Sequence, residues 1–133
     1  MIKQLFDQSD WLATLVAAVA YWVIGAAWYG ILGKRWMTAA KLTKEKIDAG
    51  SKIIYLYTFI LELVIVMAMS MMGANVMTTS DAIQFGLIIG LIFSGFTTWV
   101  HYMYTSQSKD LYWIDAGYTT IASIVAAVIL SIM

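Results

Sequence analysis

The sequence contains four long apolar stretches, each long enough to cross a lipid bilayer as a helix. They occupy residues 11–32, 53–74, 82–104 and 112–133. A helix needs about 20 apolar residues to cross the hydrocarbon core. Because backbone groups in lipid must be satisfied internally, such stretches are restricted to helices. We therefore predict an all-α integral membrane protein, an antiparallel bundle of four transmembrane helices that forms one domain over residues 1–133.

The composition agrees with lipid as the surrounding solvent and excludes several kinds of site. Hydrophobic residues make up 62% of the chain and charged residues 12%, whereas soluble domains average about 25% charged residues. The formal net charge is zero, so we expect no nucleic-acid partner. The chain has no cysteine and a single histidine, which leaves no thiolate ligand. The expected partner is the lipid bilayer, and we expect no metal and no cofactor.

The distribution of cations predicts the orientation of the bundle. Seven of the eight Lys and Arg residues lie in residues 33–52 or 105–111, two segments that share one side because two helices separate them. Since Lys and Arg are retained on the cytoplasmic side, we predict that both loops are cytoplasmic and both termini outside. The 33–52 loop is compatible with a solvated segment or with a short interfacial helix. The apolar residues available to such a helix are Trp36, Met37, Leu42 and Ile47.

The first apolar stretch ends in aromatic residues, glycines and cations. Trp28 and Tyr29 precede Gly33, and Lys34 and Arg35 follow it. Aromatic rings favour the headgroup level and cations favour the cytoplasmic side, while glycine commonly ends a helix. We therefore expect the first helix to end at this glycine.

Two ladders of small residues recur at four-residue spacing, so each ladder lies on one helix face. The first comprises Gly86, Gly90, Ser94 and Thr98, and the second comprises Thr119, Ser123, Ala127 and Ser131. Small residues let membrane helices approach closely. Because two ladders offer more packing surface than one small bundle needs, we predict a homo-oligomer, with a dimer favoured.

Glu62 is the one carboxyl deep within an apolar stretch. It lies nine residues from the start of its helix, which is roughly 14 Å at 1.5 Å per residue. An ionised carboxylate at this depth costs several kcal/mol, so it is expected to be protonated, paired or facing water. It is either a proton or cation site, or a neutral carboxyl that joins helices. Candidate hydrogen-bond partners at the same depth are Tyr21, Ser94 and Ser123.

A second group of polar and aromatic residues lies near the predicted cytoplasmic side. Its members share a similar depth and are candidates for ligand binding: Trp28, Tyr29, His101, Asp115 and Tyr118. An Asp–His pair is able to relay protons or orient a ligand. The alternative is that both side chains are hydrated at the interface. Aromatic residues are concentrated on this side, which is typical of a pocket but also of membrane anchoring.

Two segments resemble a bacterial family known as the domain of unknown function 1761 family. Residues 25–29 (GAAWY) and 33–37 (GKRWM) are similar to the opening of that family, and residues 114–118 (IDAGY) to its last span. The resemblance implies a short protein of about four spans in the bacterial inner membrane, and it implies no established activity. Thr119 stands where the family pattern has His, so any chemistry of that His is absent here.

Three hypotheses about function follow from these residues. The first is binding or transport of a small solute, proton or cation through a homo-oligomer, with Glu62 as the coupling carboxyl. The second is a scaffold or accessory membrane protein in which every polar residue is structural. The third, ranked last, is a membrane-embedded enzyme with His101 and Asp115 as acid and base. We therefore expect that the protein is not an enzyme, and we assign no catalytic residue.

Overall fold

The computed structural model describes residues 1–133, and all of its regular elements are helical. They are α1 (Ile2–Asp7), α2 (Trp11–Ala40), α3 (Lys44–Asp48), α4 (Ile53–Met71), a 3-10 turn (Ala74–Val76), α5 (Thr79–Tyr104) and α6 (Lys109–Ile132). Four of these helices, α2, α4, α5 and α6, are long and apolar enough to cross a membrane. The prediction of an all-α membrane protein with four packed, membrane-spanning helices is confirmed.

Helix α2 extends further than the sequence predicted. It begins at the N-cap Asp10, whose side chain accepts a hydrogen bond from the Ala13 N–H at 2.9 Å. It then continues past Gly33 to Ala40, and Lys41 ends it with a left-handed φ of 56°. The prediction that the helix ends at the glycine is therefore wrong. A glycine inside a helix costs only about 1 kcal/mol relative to alanine, and side chains beyond Gly33 bond to α6 as described below.

The loop after α2 contains one short helix. In α3, Thr43 is the N-cap and accepts a hydrogen bond from the Lys46 N–H at 3.3 Å. Ile47 belongs to α3, whereas Trp36 and Met37 belong to the extension of α2. The four residues proposed for a single interfacial helix are therefore separated, and Leu42 lies in neither helix.

Helix α6 lies at the centre of the bundle and packs against α2, α4 and α5, while α4 packs mainly against α2. Alanine dominates the fully buried positions between these helices. The core includes Ala13, Ala17 and Ala18 of α2, Val66 and Met69 of α4, and Ala122, Ala126 and Ala127 of α6. Small side chains allow close approach of the helix axes, so the centre of the bundle is tightly packed.

The two small-residue ladders pack against each other within the chain. A Cβ atom added to Gly86 would lie 2.5 Å from Ile124 Cα, and one added to Gly90 would lie 2.5 Å from Thr120 Cα. The Thr119 hydroxyl also donates a hydrogen bond to the Gly90 carbonyl at 3.3 Å. Because the two ladders contact each other within one chain, they give no support for a dimer. The homo-oligomer stays a prediction.

Residues Ile88–Gly95 of α5 are π-helical, which the sequence did not predict. A π segment inserts a wider turn into an α-helix and alters its backbone hydrogen bonding. The Gly90 carbonyl that accepts from Thr119 lies in this segment. Thr119 of α6 therefore donates a hydrogen bond at the point where the backbone hydrogen-bonding pattern of α5 changes.

One end of the bundle carries residues 41–52 and 105–108, and we call it the loop end. Here Arg35 of α2 donates two hydrogen bonds to the Asp110 carboxylate of α6, one of them from Nε at 2.8 Å. The Ser108 hydroxyl donates to the Ala39 carbonyl at 3.5 Å. These contacts hold the extension of α2 against the start of α6.

Candidate functional site

Three aromatic side chains converge on the carboxylate of Asp115, and we call these four residues the Asp115 clasp. The Tyr29 hydroxyl donates to Oδ1 at 2.7 Å, and the Trp36 indole N–H donates to the same oxygen at 3.1 Å. The Tyr102 hydroxyl donates to Oδ2 at 2.6 Å. Hydrogen bonds to an ionised carboxylate are about twice as strong as neutral ones. The clasp therefore joins α2, α5 and α6 near the loop end.

A second contact between α2 and α6 depends on a glycine. The Trp28 indole N–H donates to the Ile114 carbonyl at 2.9 Å. Its ring lies against Gly117, where an added Cβ atom would be 2.9 Å from Trp28 Cζ2. Gly117 thus leaves the space into which the indole ring packs.

Glu62 is bound by Tyr118 and is otherwise without a partner. The Tyr118 hydroxyl donates to Glu62 Oε1 at 2.5 Å. The Tyr118 ring fits against Gly25, where a Cβ atom would lie 3.0 Å from the hydroxyl oxygen. Only 6% of Glu62 is exposed, and its second oxygen, Oε2, is buried with no hydrogen-bond partner.

The partners proposed for Glu62 from depth alone do not bind it. Tyr21 instead lies next to Ser123, with 3.4 Å between the two hydroxyl oxygens, and Ser94 has no side-chain hydrogen bond to Glu62. Counting residues gives the depth of a side chain along its helix. It does not give the direction in which the side chain points, and this direction decides the partner.

A pocket of about 750 Å³ lies between α2, α3 and α4 and extends from the loop end to Glu62. Aromatic residues form much of its wall: Trp22, Tyr29, Trp36, Tyr55 and Tyr118. Lys44 and Asp48 of α3 lie at its loop end. Gly30 and Gly33 also line it, and a Cβ atom at either would meet nothing within 4 Å. These two glycines therefore border open space.

The five candidate binding residues occupy three different positions. Tyr29 and Tyr118 line the pocket, whereas Trp28 and Asp115 lie behind its wall. His101 is exposed, and its ring lies beside Tyr102 with 6.3 Å between centroids. No hydrogen bond joins His101 to Asp115, so the structure does not form the acid–base pair considered from the sequence.

Several pocket residues were not proposed from the sequence, although a pattern for them exists. Positions 22, 26, 29, 33 and 36 follow the spacing of one helical face, and all five line the pocket. Ending the helix at Gly33 concealed this face, because Trp36 then lay in a loop. Tyr55 of the pocket and Tyr102 of the Asp115 clasp carry no comparable pattern. No group of three or more His, Asp or Glu side chains is close enough together to hold a metal ion.

The model of the family described as "Protein of unknown function (DUF1761)" matches residues 12–131 of the chain. The chain therefore belongs to this family, and the resemblance found in its two motifs is confirmed. In the structure these motifs contact each other, through Gly25 with Tyr118, Trp28 with Gly117, and Tyr29 with Asp115. Comparisons with curated proteins and with solved structures found no match.

Proposed function

We propose that this membrane protein binds a small solute in the pocket between α2, α3 and α4. The observation that carries the proposal is Glu62, which lines the pocket and whose second carboxyl oxygen, Oε2, is buried without a hydrogen-bond partner. A buried polar atom without a partner costs about 1–3 kcal/mol, and a charged group costs more. A solute that donates a hydrogen bond or carries a positive charge would remove this cost.

The size and lining of the pocket support this proposal. Its volume of about 750 Å³ falls within the range of about 300–1,000 Å³ that is usual for small-molecule sites. Such sites are mostly apolar and aromatic with a few polar groups. Here aromatic walls surround one deep carboxyl, Glu62, so the lining has the same character.

The clasp supports the proposal because it fixes two side chains of the pocket wall before any solute binds. Tyr29 and Trp36 both line the pocket and both donate to Asp115. Side chains that are already held in place lose little conformational entropy on binding. Asp115 is therefore a positioning residue for the pocket. Transport of the bound solute would be a further step, in which the pocket would also open toward the opposite end.

The scaffold hypothesis is the second candidate, and one observation favours it. All three donors of the clasp are satisfied within the chain, and Glu62 Oε1 already accepts from Tyr118. Under the scaffold hypothesis these contacts serve only to join helices. The two hypotheses differ in one outcome: only the solute-binding hypothesis predicts that a side chain filling the pocket prevents a small molecule from binding.

Filling the pocket from Gly30 tests the proposal. Purified protein in detergent micelles is heated with a panel of small aromatic amines, alcohols and acids, and the unfolding temperature is recorded. We expect at least one class to raise the unfolding temperature of the wild type and of Gly30→Ala, but not of Gly30→Leu. The leucine side chain enters open space, so the fold is expected to survive. If a compound raised the unfolding temperature of Gly30→Leu as much as that of the wild type, or if no compound raised it in any variant, solute binding would be contradicted and the scaffold hypothesis favoured.

A further inference from the structure

We infer that the solute is a small organic monocation, an amine or quaternary ammonium group carried on an apolar body. This inference rests on the proposed binding function and names the class of ligand for the same pocket. Three features of the pocket support it: its deep carboxyl group, the engagement of three of its hydrogen-bond donors and its aromatic side chains.

The first feature is an acid without a cation. Glu62 is buried deep in the pocket, and the only cationic side chain that lines the pocket is Lys44, which is exposed on α3 at the loop end beside Asp48. The one salt bridge in the protein joins Arg35 to Asp110, outside the pocket. A buried carboxylate ionises at low cost only when a positive charge pairs with it. A cationic ligand would supply that charge.

The second feature is that three hydrogen-bond donors of the pocket wall already have acceptors within the chain. The Tyr29 hydroxyl and the Trp36 indole N–H are both directed to Asp115, and the Tyr118 hydroxyl is directed to Glu62. An anion needs donors or positive charge in its site, and here it would also face the carboxylate of Glu62. The surroundings of Glu62 therefore disfavour anions.

The third feature is the aromatic wall itself. Cations are attracted to the faces of aromatic rings, most strongly to Trp, by about 0.5–2 kcal/mol each. Trp22, Trp36 and Tyr29 line the pocket on the α2 side. The Tyr29 hydroxyl and the Trp36 indole N–H both donate to Asp115, which holds these two rings in the pocket wall.

The size of the pocket and its aliphatic residues indicate that the ligand also has an apolar part. Ile47, Ile54 and Met37 contribute to the lining, so one end of a ligand would contact hydrocarbon and the other end Glu62. A bare metal ion fits poorly, because Glu62 belongs to no group of three His, Asp or Glu side chains that could coordinate one. An organic cation needs only one carboxylate and aromatic side chains around it.

The test uses two probes of the same shape and different charge. Benzyltrimethylammonium is the cation, and neopentylbenzene replaces its nitrogen by carbon. Binding is measured by quenching of tryptophan fluorescence in micelles, because Trp22 and Trp36 line the pocket, with protein-free micelles subtracted. We expect the wild type to bind the cation with a Kd at least tenfold lower than that of the neutral probe. This comparison requires no variant.

Two variants then locate the charge that is recognised. Glu62→Gln keeps an oxygen acceptor for Tyr118 and removes the negative charge, so the Kd of the cation should rise at least tenfold while that of the neutral probe stays the same. Glu45→Gln makes the same chemical change at an exposed position of α3 outside the pocket, and it should change neither Kd.

The outcomes separate the ligand class from the binding function. Saturable binding of both probes with equal Kd, blocked by Gly30→Leu and indifferent to Glu62→Gln, would overturn the cation inference and leave solute binding in place. No saturable binding of the cation by the wild type would overturn the inference as well. If every compound of the broader panel also failed to stabilise the wild type, the proposed binding function itself would fall.

Discussion

At the scale of single residues, Asp115 accepts three side-chain hydrogen bonds, more than any other carboxyl group of the chain. One carboxylate accepts from two tyrosine hydroxyls and one indole N–H, and these donors come from two other helices. Each such bond to a charged group contributes about 1.5–3 kcal/mol, and a donor left without an acceptor in a partly buried site is costly. The residue is therefore expected to matter for stability as well as for the shape of the pocket.

Removal of the Asp115 side chain tests this role. We expect Asp115→Ala to lower the unfolding free energy by about 3 kcal/mol, since three donors lose their acceptor, and Asp115→Asn to lower it less because one amide oxygen remains. Unfolding is followed by titration with SDS in mixed micelles. Asp7→Asn is the control, because Asp7 is exposed at the opposite end and its side chain has no hydrogen bond. Equal stability of Asp115→Ala and wild type would show that the clasp adds nothing.

At the scale of helices, α5 and α6 fit together through glycine. The sequence placed Gly86 and Gly90 on one face by their spacing, and it placed Thr119 and Ser123 on one face in the same way. The structure shows these two faces in contact. The spacing alone did not show whether these two faces contact each other or contact a second copy of the chain.

Two glycine-to-alanine substitutions distinguish contact from open space. A Cβ atom at Gly90 would lie 2.5 Å from the backbone of α6, so Gly90→Ala should separate the helices and lower the unfolding free energy by about 2–3 kcal/mol. At Gly30 nothing lies within 4 Å, and alanine there should be neutral or stabilise by up to about 1 kcal/mol. SDS titration compares both with the wild type. Tolerance of Gly90→Ala equal to that of Gly30→Ala would contradict the close packing of α5 on α6.

Helix α2 illustrates where a local rule is overridden. Glycine after an aromatic pair predicts a helix end, yet α2 continues to Ala40. Arg35 and Trp36, which follow the glycine, bond to Asp110 and Asp115 of α6. Tertiary contacts thus stabilise a segment whose local sequence favours termination.

At the scale of the whole molecule, the membrane orientation remains a prediction from charge. The loop end carries seven of the eight Lys and Arg residues, counting those of the α2 extension and Lys109. Since positive charge is retained on the cytoplasmic side, we expect the loop end to be cytoplasmic. The absence of native cysteine makes this convenient to test by labelling.

Single cysteines at the two ends report the orientation. Ser106→Cys lies in the turn at the loop end and Ser80→Cys near the start of α5 at the opposite end, and both positions are exposed. With a membrane-impermeant maleimide on intact cells, we expect Ser80→Cys to react and Ser106→Cys to react only after permeabilisation. The reverse pattern would overturn the predicted orientation. Native mass spectrometry of the same preparations measures whether the predicted dimer forms.

The sequence by itself determined the number of helices that are able to cross a membrane, their class and the position of Glu62 along its helix. These properties follow from length, hydropathy and rise per residue, which are local quantities. The two motifs, near residues 25–37 and 114–118, also indicated the family before any geometry was known.

Only the tertiary structure decided which side chains meet. The rotation of each helix about its axis directs Tyr118 to Glu62 and Tyr29 to Asp115, and residue counting does not fix that rotation. The pocket likewise depends on the course of α2 beyond Gly33 and on the position of α3 beside α4. Contacts between residues 56 to 86 positions apart in the chain result from packing of the whole bundle, so no local pattern predicts them.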